Sequence, residues 1–408
     1  MPKILYISYD GMTDPLGQSQ VLPYLKGLSQ LGYEIHVLSF EKPANLQREG
    51  FAVQTIIDNA GLCWYPQDYT SSPPVLSTLK DLRTMMRNGF ALHAEHGFDI
   101  VHARSYISAL AALKLKQKHG VPFVFDMRGF WADERLDGGL WSLKNPMYRL
   151  VYNYFKRKEK QFFNSADVVV SLTHAAVPHI RKISGTENLQ VDIIPCCADL
   201  DHFHFERIDE NEKTRLRKHL GIGADDKVLS YLGSLGTWYM SREMLEFFRI
   251  AKEHGVFDKI LIISKDDKQQ VLAEAASAGI DPVDVIISPA TRDEVPGLLS
   301  VSMANIFFIK PCFSKLASSP TKFAEVLGMG IPVIVNAGVG DIEVQIKETG
   351  TGLVLSELTS DGILKAVQEL KTMQMPAPDI CRNAALKYFD LKNGVLKYQK
   401  IYERIIKK

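Results

Sequence analysis

The chain of 408 residues is longer than one hydrophobic core usually organises, so we predict two domains, each of somewhat under about 200 residues. Its 48 Lys and Arg residues balance 47 Asp and Glu residues, and the net charge of +1 excludes the strongly basic surface typical of nucleic-acid-binding proteins. Five cysteines, few and odd in number, indicate reduced thiols and a cytoplasmic location. No apolar stretch is long enough to predict a signal peptide or a membrane-spanning helix.

The first half of the chain alternates short apolar runs with helical periodicity. An apolar face that recurs from Val21 to Leu31 and ends at Gly32 predicts a helix between the first two strands. This order of strand, helix and strand is typical of a parallel βαβ unit. Further helices are predicted at 76–96 and 107–119, and the predicted strands are 4–9, 35–40, 100–103, 123–126, 168–172 and 192–194.

A second series of the same kind follows a polar, charge-rich stretch at 199–226, which we interpret as a linker. Its predicted strands are 228–232, 259–263, 285–287, 304–309 and 332–335, and its predicted helices are 241–254, 268–278, 293–301 and 321–329. A last amphipathic helix at 395–406 could pack on either domain. The predicted domains are therefore 1–198 and 227–389, with a return of residues 390–408 to the first domain as one option.

Two βα series of similar size predict an α/β protein built from two doubly wound, Rossmann-like domains that face each other across a cleft. In such domains ligands bind beyond the carboxyl ends of the strands. Polar residues that follow the predicted strands are therefore the candidates for a functional site.

The segment 318–335 reads as a polar loop, a short helix, a glycine stop and a buried strand. Its helix carries Lys322 and Glu325 about one turn apart, near the N-terminus. Such a pair could bind a nucleoside diphosphate, with Lys322 neutralising phosphate and Glu325 accepting hydrogen bonds from ribose hydroxyls. From the spacing alone, a surface ion pair on an ordinary helix is the competing interpretation.

Several short motifs occur along nearly the whole chain in an order and spacing that together are specific. They are Gly17-Gln18-Ser19-Gln20, Ser165-Ala166-Asp167, Ile194-Pro195, Gly233-Ser234-Leu235, Asp293-Glu294-Val295-Pro296, and the block from Glu325 to Pro332 with Gly338 and Gly340 after it. In these motifs the chain resembles the family 4 glycosyltransferases (glycosyl transferases group 1), which are retaining nucleotide-sugar enzymes with the GT-B fold.

The resemblance implies that the C-terminal domain binds a nucleotide-sugar donor and the N-terminal domain binds the acceptor. Glu325 matches the second glutamate of the family's paired-glutamate motif and would hold the donor ribose. Gly17 and Gln18 would approach the donor diphosphate from the N-terminal domain. The other residues expected at the diphosphate, through a side chain or a backbone amide, are Lys322, Gly233, Ser234 and Gly340.

The sequence departs from the family pattern at three places. The family's first glutamate, eight positions before the second, is Ala317 here. A histidine common at a strand end of the N-terminal domain is replaced by the run 126–131. The basic pair expected after the first strand of the second domain is replaced by Ser234 and the loop 236–239. The residues that could supply this charge instead are Lys322, Lys315 and Arg242.

Charged residues also follow two strands of the predicted N-terminal domain. Asp126 and Arg128 lie at the end of one strand, and His102 and Arg104 lie at the end of the preceding one. Carboxylates and guanidinium groups there suit recognition of a polyhydroxyl or phosphate-bearing acceptor. Salt bridges at strand ends are the competing interpretation.

We predict no catalytic metal and no cofactor beyond the nucleotide-sugar substrate. The run Asp199-Leu200-Asp201 imitates a metal-binding Asp-x-Asp motif but opens the predicted linker. The histidine pairs of the sequence, which lack further ligands at metal spacing, are His93 with His96 and His202 with His204.

The stretch 141–163 interleaves aromatic and basic residues. This pattern suits an interfacial helix on an anionic lipid surface, which would fit a lipid-linked acceptor. A domain helix with a solvated basic face is the alternative interpretation.

These features, with the resemblance, indicate a glycosyltransferase that moves a sugar with retention from a nucleoside diphosphate sugar to a saccharide or lipid-linked acceptor. We expect it to serve cell-surface polysaccharide or glycolipid synthesis, in the cytoplasm or at the inner face of the membrane, without a nucleic-acid partner. The resemblance implies front-face attack assisted by the leaving phosphate, so no general base is assigned. A nucleotide-sugar 2-epimerase and a non-catalytic nucleotide- or carbohydrate-binding protein are the alternatives.

Overall fold

The computed structural model describes residues 1–407, which form two compact α/β units. One unit comprises Met1–Cys197 together with the segment that starts at Leu391, and the other comprises Ala198–Asp390. Residues 199–226, interpreted above as a linker, are instead part of the second unit and contain a 3-10 turn (Phe205–Arg207) and a helix (Glu210–His219). All side chains of that helix are at least partly exposed, so the charge-rich sequence reflects a solvated helix.

Within residues 1–407 each unit is built on one parallel sheet. The first unit contains β1 (Lys3–Ser8), β2 (Glu34–Glu41), β3 (Cys63–Asp68), β4 (Ile100–Arg104), β5 (Phe123–Asp126), β6 (Val168–Ser171) and β7 (Val191–Ile193). The second unit contains β8 (Val228–Leu232), β9 (Lys259–Ile263), β10 (Val285–Ser288), β11 (Ala304–Phe307), β12 (Val333–Asn336) and β13 (Gly352–Leu355). The spatial orders are β3-β2-β1-β4-β5-β6-β7 and β10-β9-β8-β11-β12-β13. Both contain the doubly wound Rossmann order, which confirms the predicted α/β class.

Helices alternate with these strands. The first unit has α1 (Pro15–Gln20), α2 (Leu22–Gln30), α3 (Pro43–Asn59), α4 (Leu76–His96), α5 (Ser105–His119), α6 (Trp131–Asp137), α7 (Pro146–Ser165) and α8 (Val177–Ser184). The second unit has α9 (Glu210–His219), α10 (Ser241–Glu253), α11 (Lys268–Ser277), α12 (Val295–Ser300), α13 (Thr321–Gly328), α14 (Ile342–Thr349), α15 (Ser360–Thr372) and α16 (Pro378–Phe389). The last helix, α17 (Leu391–Ile406), belongs to the first unit.

The inner strands read as near-continuous apolar runs because helices cover both faces of each sheet. Every residue of β4, β5, β8 and β12 is buried. The edge strands β3 and β13 were not predicted from the sequence, because they lack a continuous apolar run. β3 contains Pro66 and alternates exposed with half-buried residues, a pattern that an edge strand tolerates and an inner strand does not. β13 starts with Gly352 and is only half buried.

The C-terminal helix α17 returns to the first unit, the option left open by the sequence. Its buried face carries Val395, Tyr398, Ile401 and Tyr402 and packs mainly on α2. A β-carbon at position 394 would lie 2.8 Å from Cε1 of Tyr24, so glycine permits the close approach of the two helices. The helix thus completes the core of the first unit.

None of the helices within residues 1–407 combines the length and the apolar character needed to span a bilayer.

The segment 200–205 is held against the C-terminal end of α13. Arg382 donates hydrogen bonds to the backbone oxygens of Leu200, Phe203 and Gly328, each at 3.0 Å. A β-carbon at position 328 would come within 2.9 Å of both Leu200 Cδ2 and the Phe203 carbonyl oxygen. Glycine at this position therefore lets the segment pack onto the helix.

We expect Gly328→Ala to destabilise the protein by about 1–3 kcal/mol, because backbone cannot yield as a flexible side chain does. Gly89→Ala, within α4, is the control: its added methyl would meet Cδ1 of Leu115 on α5 at an ordinary 3.5 Å, so we expect unchanged or slightly raised stability. Thermal unfolding followed by circular dichroism measures both. Equal midpoints for the two variants would contradict the packing described for position 328.

Candidate functional site

The candidate donor site lies at the carboxyl ends of the strands in the second unit. Gly233 follows β8, Asp266 follows β9, and α13 begins at Thr321. The N-cap residue of α13, Pro320, makes no side-chain hydrogen bond to the first turn. The helix therefore presents an N-terminus suited to an anion.

Lys322 occupies an aromatic cage beneath this N-terminus. Its Nζ lies 3.7 Å from the ring centre of Tyr239 and 4.2 Å from that of Tyr231, and it donates a hydrogen bond of 3.1 Å to the Tyr231 hydroxyl. The residue is 8% exposed, and among residues 1–407 no carboxylate oxygen lies within 4.0 Å of Nζ. Burial lowers the pKa of Lys322 well below that of an ordinary lysine, and the more distant charges of Glu325 and Asp266 offset this only in part.

Gly233 contributes to this cage by leaving space. A β-carbon at this position would lie 3.0 Å from Lys322 Nζ, and its φ of +105° is a conformation that side-chain-bearing residues rarely adopt. Its amide already donates to the Ile263 carbonyl at 2.9 Å. Because this amide is engaged, Gly233 contributes space that lets the ammonium approach the backbone, and its predicted place at the diphosphate remains a prediction.

The amide of Gly340 is engaged in the same way, and its predicted place at the diphosphate also remains a prediction. Its φ is +48°, but its amide donates to the Lys315 carbonyl at 2.9 Å. This bond ties the loop after β12 to the 3-10 helix Phe313–Ala317. Gly340 thus shapes the loop, and its N–H group is engaged within the protein.

Asp266 organises the loop after β8, and the sequence analysis missed it. Its carboxylate accepts hydrogen bonds from the Leu235 amide at 2.5 Å, the Ser234 hydroxyl at 3.2 Å and the Ser264 hydroxyl at 2.8 Å. The Ser234 side chain, predicted at the diphosphate, is thereby engaged within the loop. Asp266 comes shortly after the buried strand β9, and this position was the sequence signal that could have identified it.

The loop 236–240 is fixed by pairing with the residues that follow β11. Tyr239 forms an antiparallel bridge with Ile309, and the Lys310 amide donates to the Trp238 carbonyl at 2.9 Å. Lys315 Nζ lies 3.6 Å from the ring centre of Trp238. The loop that replaces the family's basic pair therefore supplies aromatic faces to both Lys315 and Lys322.

Glu325 faces away from this cage toward Arg292. The nearest oxygen and nitrogen atoms of the two side chains are 3.5 Å apart, and the Glu325 side chain is 13% exposed. Burial raises the pKa of Glu325, against the opposing charges of Arg292 and Lys322. The Arg292 guanidinium also lies 5.3 Å from the ring centre of Phe203. The structure thus pairs Glu325 with Arg292, a residue the sequence analysis missed, and not with Lys322.

The remaining candidates of the second unit lie in different settings. Ala317, at the position of the family's first glutamate, is fully buried in the 3-10 helix. Arg242 is exposed and lines an open groove between α10 and α11. Of the residues considered for the diphosphate charge, Lys322 is the one held beside Gly233.

In the first unit, Gly17 and Gln18 lie on the short helix after β1. A β-carbon at position 17 would lie 2.2 Å from the Gly11 carbonyl oxygen, so the site admits no side chain. Gln18 Nε2 donates to the Thr13 carbonyl at 3.3 Å. The loop between β1 and this helix is held by the buried Glu41, which accepts from the Met12 and Thr13 amides at 2.8 and 3.0 Å. The predicted approach of Gly17 and Gln18 to a donor remains a prediction.

The charged residues predicted to bind an acceptor form a buried network with α17. Asp126 accepts a hydrogen bond of 2.9 Å from Tyr398, and His102 Nδ1 lies 2.6 Å from the Tyr402 hydroxyl. Both side chains are 1% exposed. Burial alone would raise the pKa of Asp126, but Arg128 and His102 outweigh burial and lower it to about 2. The structure therefore favours the structural interpretation for this pair.

The two arginines of this group are also engaged. Arg128 has a φ of +57°, and its guanidinium lies 3.8 Å from Asp126 and donates to the Cys196 sulfur at 3.1 Å. Arg104 is 4% exposed, and its Nε lies 3.4 Å from an oxygen of Asp10. The network joins strand ends to one another and to the C-terminal helix, which sequence spacing could not reveal.

In the described part of the chain, residues 1–407, no group of three His, Cys, Asp or Glu residues is arranged to hold a metal ion. Asp199 uses its carboxylate to accept from the amides of Asp201 and His202, each at 3.1 Å, which forms a local turn.

Comparisons with known proteins agree with this architecture. Residues 18–202 match the family described as Glycosyltransferase Family 4. A D-inositol 3-phosphate glycosyltransferase from Mycobacteroides abscessus is 23% identical over 286 residues, which cover 69% of this chain and 60% of that protein. The chain thus spans 60% or less of the length of these curated relatives.

Two solved structures share the fold over almost the full length. A glycosyltransferase from Rickettsia africae has a TM-score of 0.73 at 14% identity, covering 100% of this chain and 99% of the other. HepE from Anabaena, solved with UDP and glucose, has a TM-score of 0.70 at 14% identity, covering 99% of each chain. Residues 18–202 thus match glycosyltransferase family 4, and the chain shares the GT-B fold of these solved glycosyltransferases over almost its full length.

Proposed function

We propose that this protein transfers a sugar, with retention, from a nucleoside diphosphate donor to a hydroxyl group of an acceptor in cell-surface polysaccharide or glycolipid synthesis. The observation that carries the proposal is the buried ammonium of Lys322, held at a helix N-terminus without a carboxylate within 4.0 Å among residues 1–407. A desolvated charge without an opposite charge beside it is costly, and an anionic ligand would offset that cost. The solved HepE complex with UDP and glucose supports a nucleotide sugar as that ligand.

The main electrostatic problem of such a reaction is the negative charge that develops on the leaving diphosphate. Lys322 and the uncapped N-terminus of α13 would stabilise this charge together, and both are fixed before the ligand arrives. The amides of Gly233 and Gly340 are engaged within the protein, so the ammonium and the helix carry this role. We assign no general base and no metal.

Glu325 would bind the ribose of the donor. A carboxylate can accept hydrogen bonds from two vicinal hydroxyls, and Arg292 keeps it oriented. Ala317 is buried and carries no polar group, so the usual acidic contact to the donor sugar is not proposed here. Binding energy toward the donor is therefore expected mainly from its diphosphate and ribose.

We also propose that the protein acts at the cytoplasmic face of a membrane, through the first half of α7. Leu150 is 71% exposed and Met147 is 42% exposed, next to the basic residues Lys144 and Arg149. The second half of α7 buries Phe155, Phe162 and Phe163 in the unit. An exposed apolar face beside basic side chains suits anionic lipid.

Thermal shift against a panel of nucleoside diphosphates and their sugars tests the donor class, because binding to the folded state raises the unfolding midpoint. Release of the nucleoside diphosphate that depends on an added acceptor would support transfer. Turnover of the nucleotide sugar without acceptor would instead indicate an epimerase. Binding without any turnover would indicate a non-catalytic protein.

The roles of Lys322 and Glu325 can be separated with two ligands. We expect Lys322→Met to weaken both the best-bound nucleoside diphosphate and inorganic pyrophosphate. Glu325→Gln should weaken the nucleotide by about tenfold to a hundredfold, as expected for hydrogen bonds to a charged group, and leave pyrophosphate unchanged. Calorimetry measures both ligands. Glu348→Gln, which removes a surface carboxylate paired with Lys387, is the control. Equal effects of Glu325→Gln on the nucleotide and on pyrophosphate would refute the ribose assignment.

Nucleotide binding should be accompanied by proton uptake at Lys322. In the free protein burial lowers its pKa, and a bound diphosphate would raise it, so the side chain gains a proton at a pH between the two values. Affinity should therefore fall as the pH rises through this interval. Calorimetry in buffers of different ionisation enthalpy gives the number of protons. The same uptake in Lys322→Met would assign the effect to another group.

Lys322→Met should raise stability at neutral pH, by about 1 kcal/mol or more, because it removes a buried charge and keeps the apolar stem. The lowered pKa means that the unfolded chain binds more protons than the folded one between the folded-state pKa and that of a free lysine, near about 10.4. Wild-type stability should therefore rise with pH over this interval, and the advantage of the variant should shrink. A less stable variant at neutral pH would show that the charge is already compensated.

A further inference from the structure

A cavity of about 550 Å³ opens in the first unit beside the carboxyl ends of its strands. Tyr9 follows β1, Tyr69 follows β3, and Trp131 begins α6 after β5, and all three line the cavity. The other walls come from the start of α4 and the middle of α7. The volume is in the range typical of small-molecule sites.

The walls of this cavity are predominantly apolar. Trp131 packs at 4.7 Å from Phe155 and at 5.4 Å from Trp141, measured between ring centres, and aliphatic side chains of α4, α5 and α7 complete the lining. The hydroxyl of Tyr9 is engaged, since it donates to Asp81 at 2.9 Å. The hydroxyl-bearing residues Tyr69, Ser71, Thr78, Tyr148 and Tyr154 also belong to the lining, but apolar surface predominates, which favours a hydrocarbon chain over a sugar ring.

A cation lies in the same lining. The Arg135 guanidinium sits 5.1 Å from the ring centre of Trp131, and among residues 1–407 no carboxylate oxygen lies within 4.0 Å of it. No Asp or Glu residue of this part of the chain lines the cavity. Apolar walls with an uncompensated cation are complementary to an amphiphile that carries an anionic group.

The floor of the cavity is rigidly supported. Tyr106 stacks on Trp131 and donates to the buried Glu159, and Lys156 bridges Glu159 and Asp133, so α5, α6 and α7 are locked together. The rim, in contrast, continues onto the surface through Leu150, which is 71% exposed. A chain can thus enter from the exposed end of α7.

We infer that this cavity holds the hydrocarbon chain of a lipid phosphate acceptor, with the phosphate paired to Arg135. The inference rests on the proposed function, since it names the acceptor class, but it concerns a different unit from the donor site. Burial of one methylene group is worth about 0.8 kcal/mol, which corresponds to about a fourfold gain in affinity for each carbon until the cavity is filled.

The test is calorimetric titration with the series from butyl to dodecyl phosphate, below their micelle concentrations. We expect about fourfold tighter binding per methylene, followed by a plateau. Val151→Trp on α7 and Leu79→Trp on α4 narrow the cavity and should each weaken the longer members at least tenfold. Ile56→Trp, at an exposed position on α3 of the same unit and outside the lining, should have no effect. Arg135→Gln should weaken alkyl phosphates about tenfold and leave alkyl glucosides unchanged, while Arg135→Lys should retain most of the affinity.

Affinity independent of chain length, or equal losses in Val151→Trp and Ile56→Trp, would overturn the inference. So would binding to phosphatidylglycerol vesicles without any binding of monomeric alkyl phosphates, since that would make the face a bilayer contact. Thermal shift with nucleoside diphosphates is measured on the same variants. Normal donor binding together with absent alkyl phosphate binding would reject the cavity assignment and leave the proposed function intact.

Discussion

The candidate donor site depends on one costly arrangement, the ammonium of Lys322 held out of water against two tyrosine rings. Aromatic faces and one hydroxyl stabilise a cation, but less than an anion would. Several local features follow from this arrangement. Gly233 lacks a side chain where Nζ approaches, and the 236–240 loop pairs with the chain after β11 to bring Tyr239 over the cation. The second unit therefore holds a charge that is ready for an anionic ligand. The desolvation of this charge lowers the folding stability of the unit.

In both units a carboxylate holds the loop that follows the first strand. In the first unit Glu41, at the end of β2, accepts from the amides of Met12 and Thr13. In the second unit Asp266, just after β9, accepts from the Leu235 amide and the Ser234 hydroxyl. In each case a carboxylate from the second strand of the Rossmann order satisfies backbone donors of the first loop. A carboxylate that receives several hydrogen bonds is well compensated, whereas the ammonium of Lys322 lacks an opposite charge within 4.0 Å among residues 1–407.

Sequence reasoning recovered what periodicity and strand ends encode. The inner strands follow from apolar runs, and the short helix that carries Lys322 and Glu325 follows from the polar loop before it and the glycines at its end. It could not recover what tertiary packing decides. Arg292 reaches Glu325 from 33 positions away, and Tyr398 reaches Asp126 from 272 positions away. No local pattern predicts such pairs. Likewise, the charged strand ends of the first unit looked like an acceptor site, because sequence does not show that α17 covers them.

Because α17 covers those strand ends, a ligand of the first unit would have to bind at another surface. His102 and Asp126 each pair with a hydroxyl group of α17, so this helix covers the strand ends that carry them. The neighbouring surface, around Tyr9 and Trp131, has apolar walls and a cation without a carboxylate nearby among residues 1–407. In the proposed function, charge recognition by Lys322 would belong to the second unit, and apolar recognition would belong to the first. Since the residues of the two candidate sites lie in different compact units, a change in one need not disturb the other. Such independence would let one fold accept different acceptors while the diphosphate chemistry stayed the same.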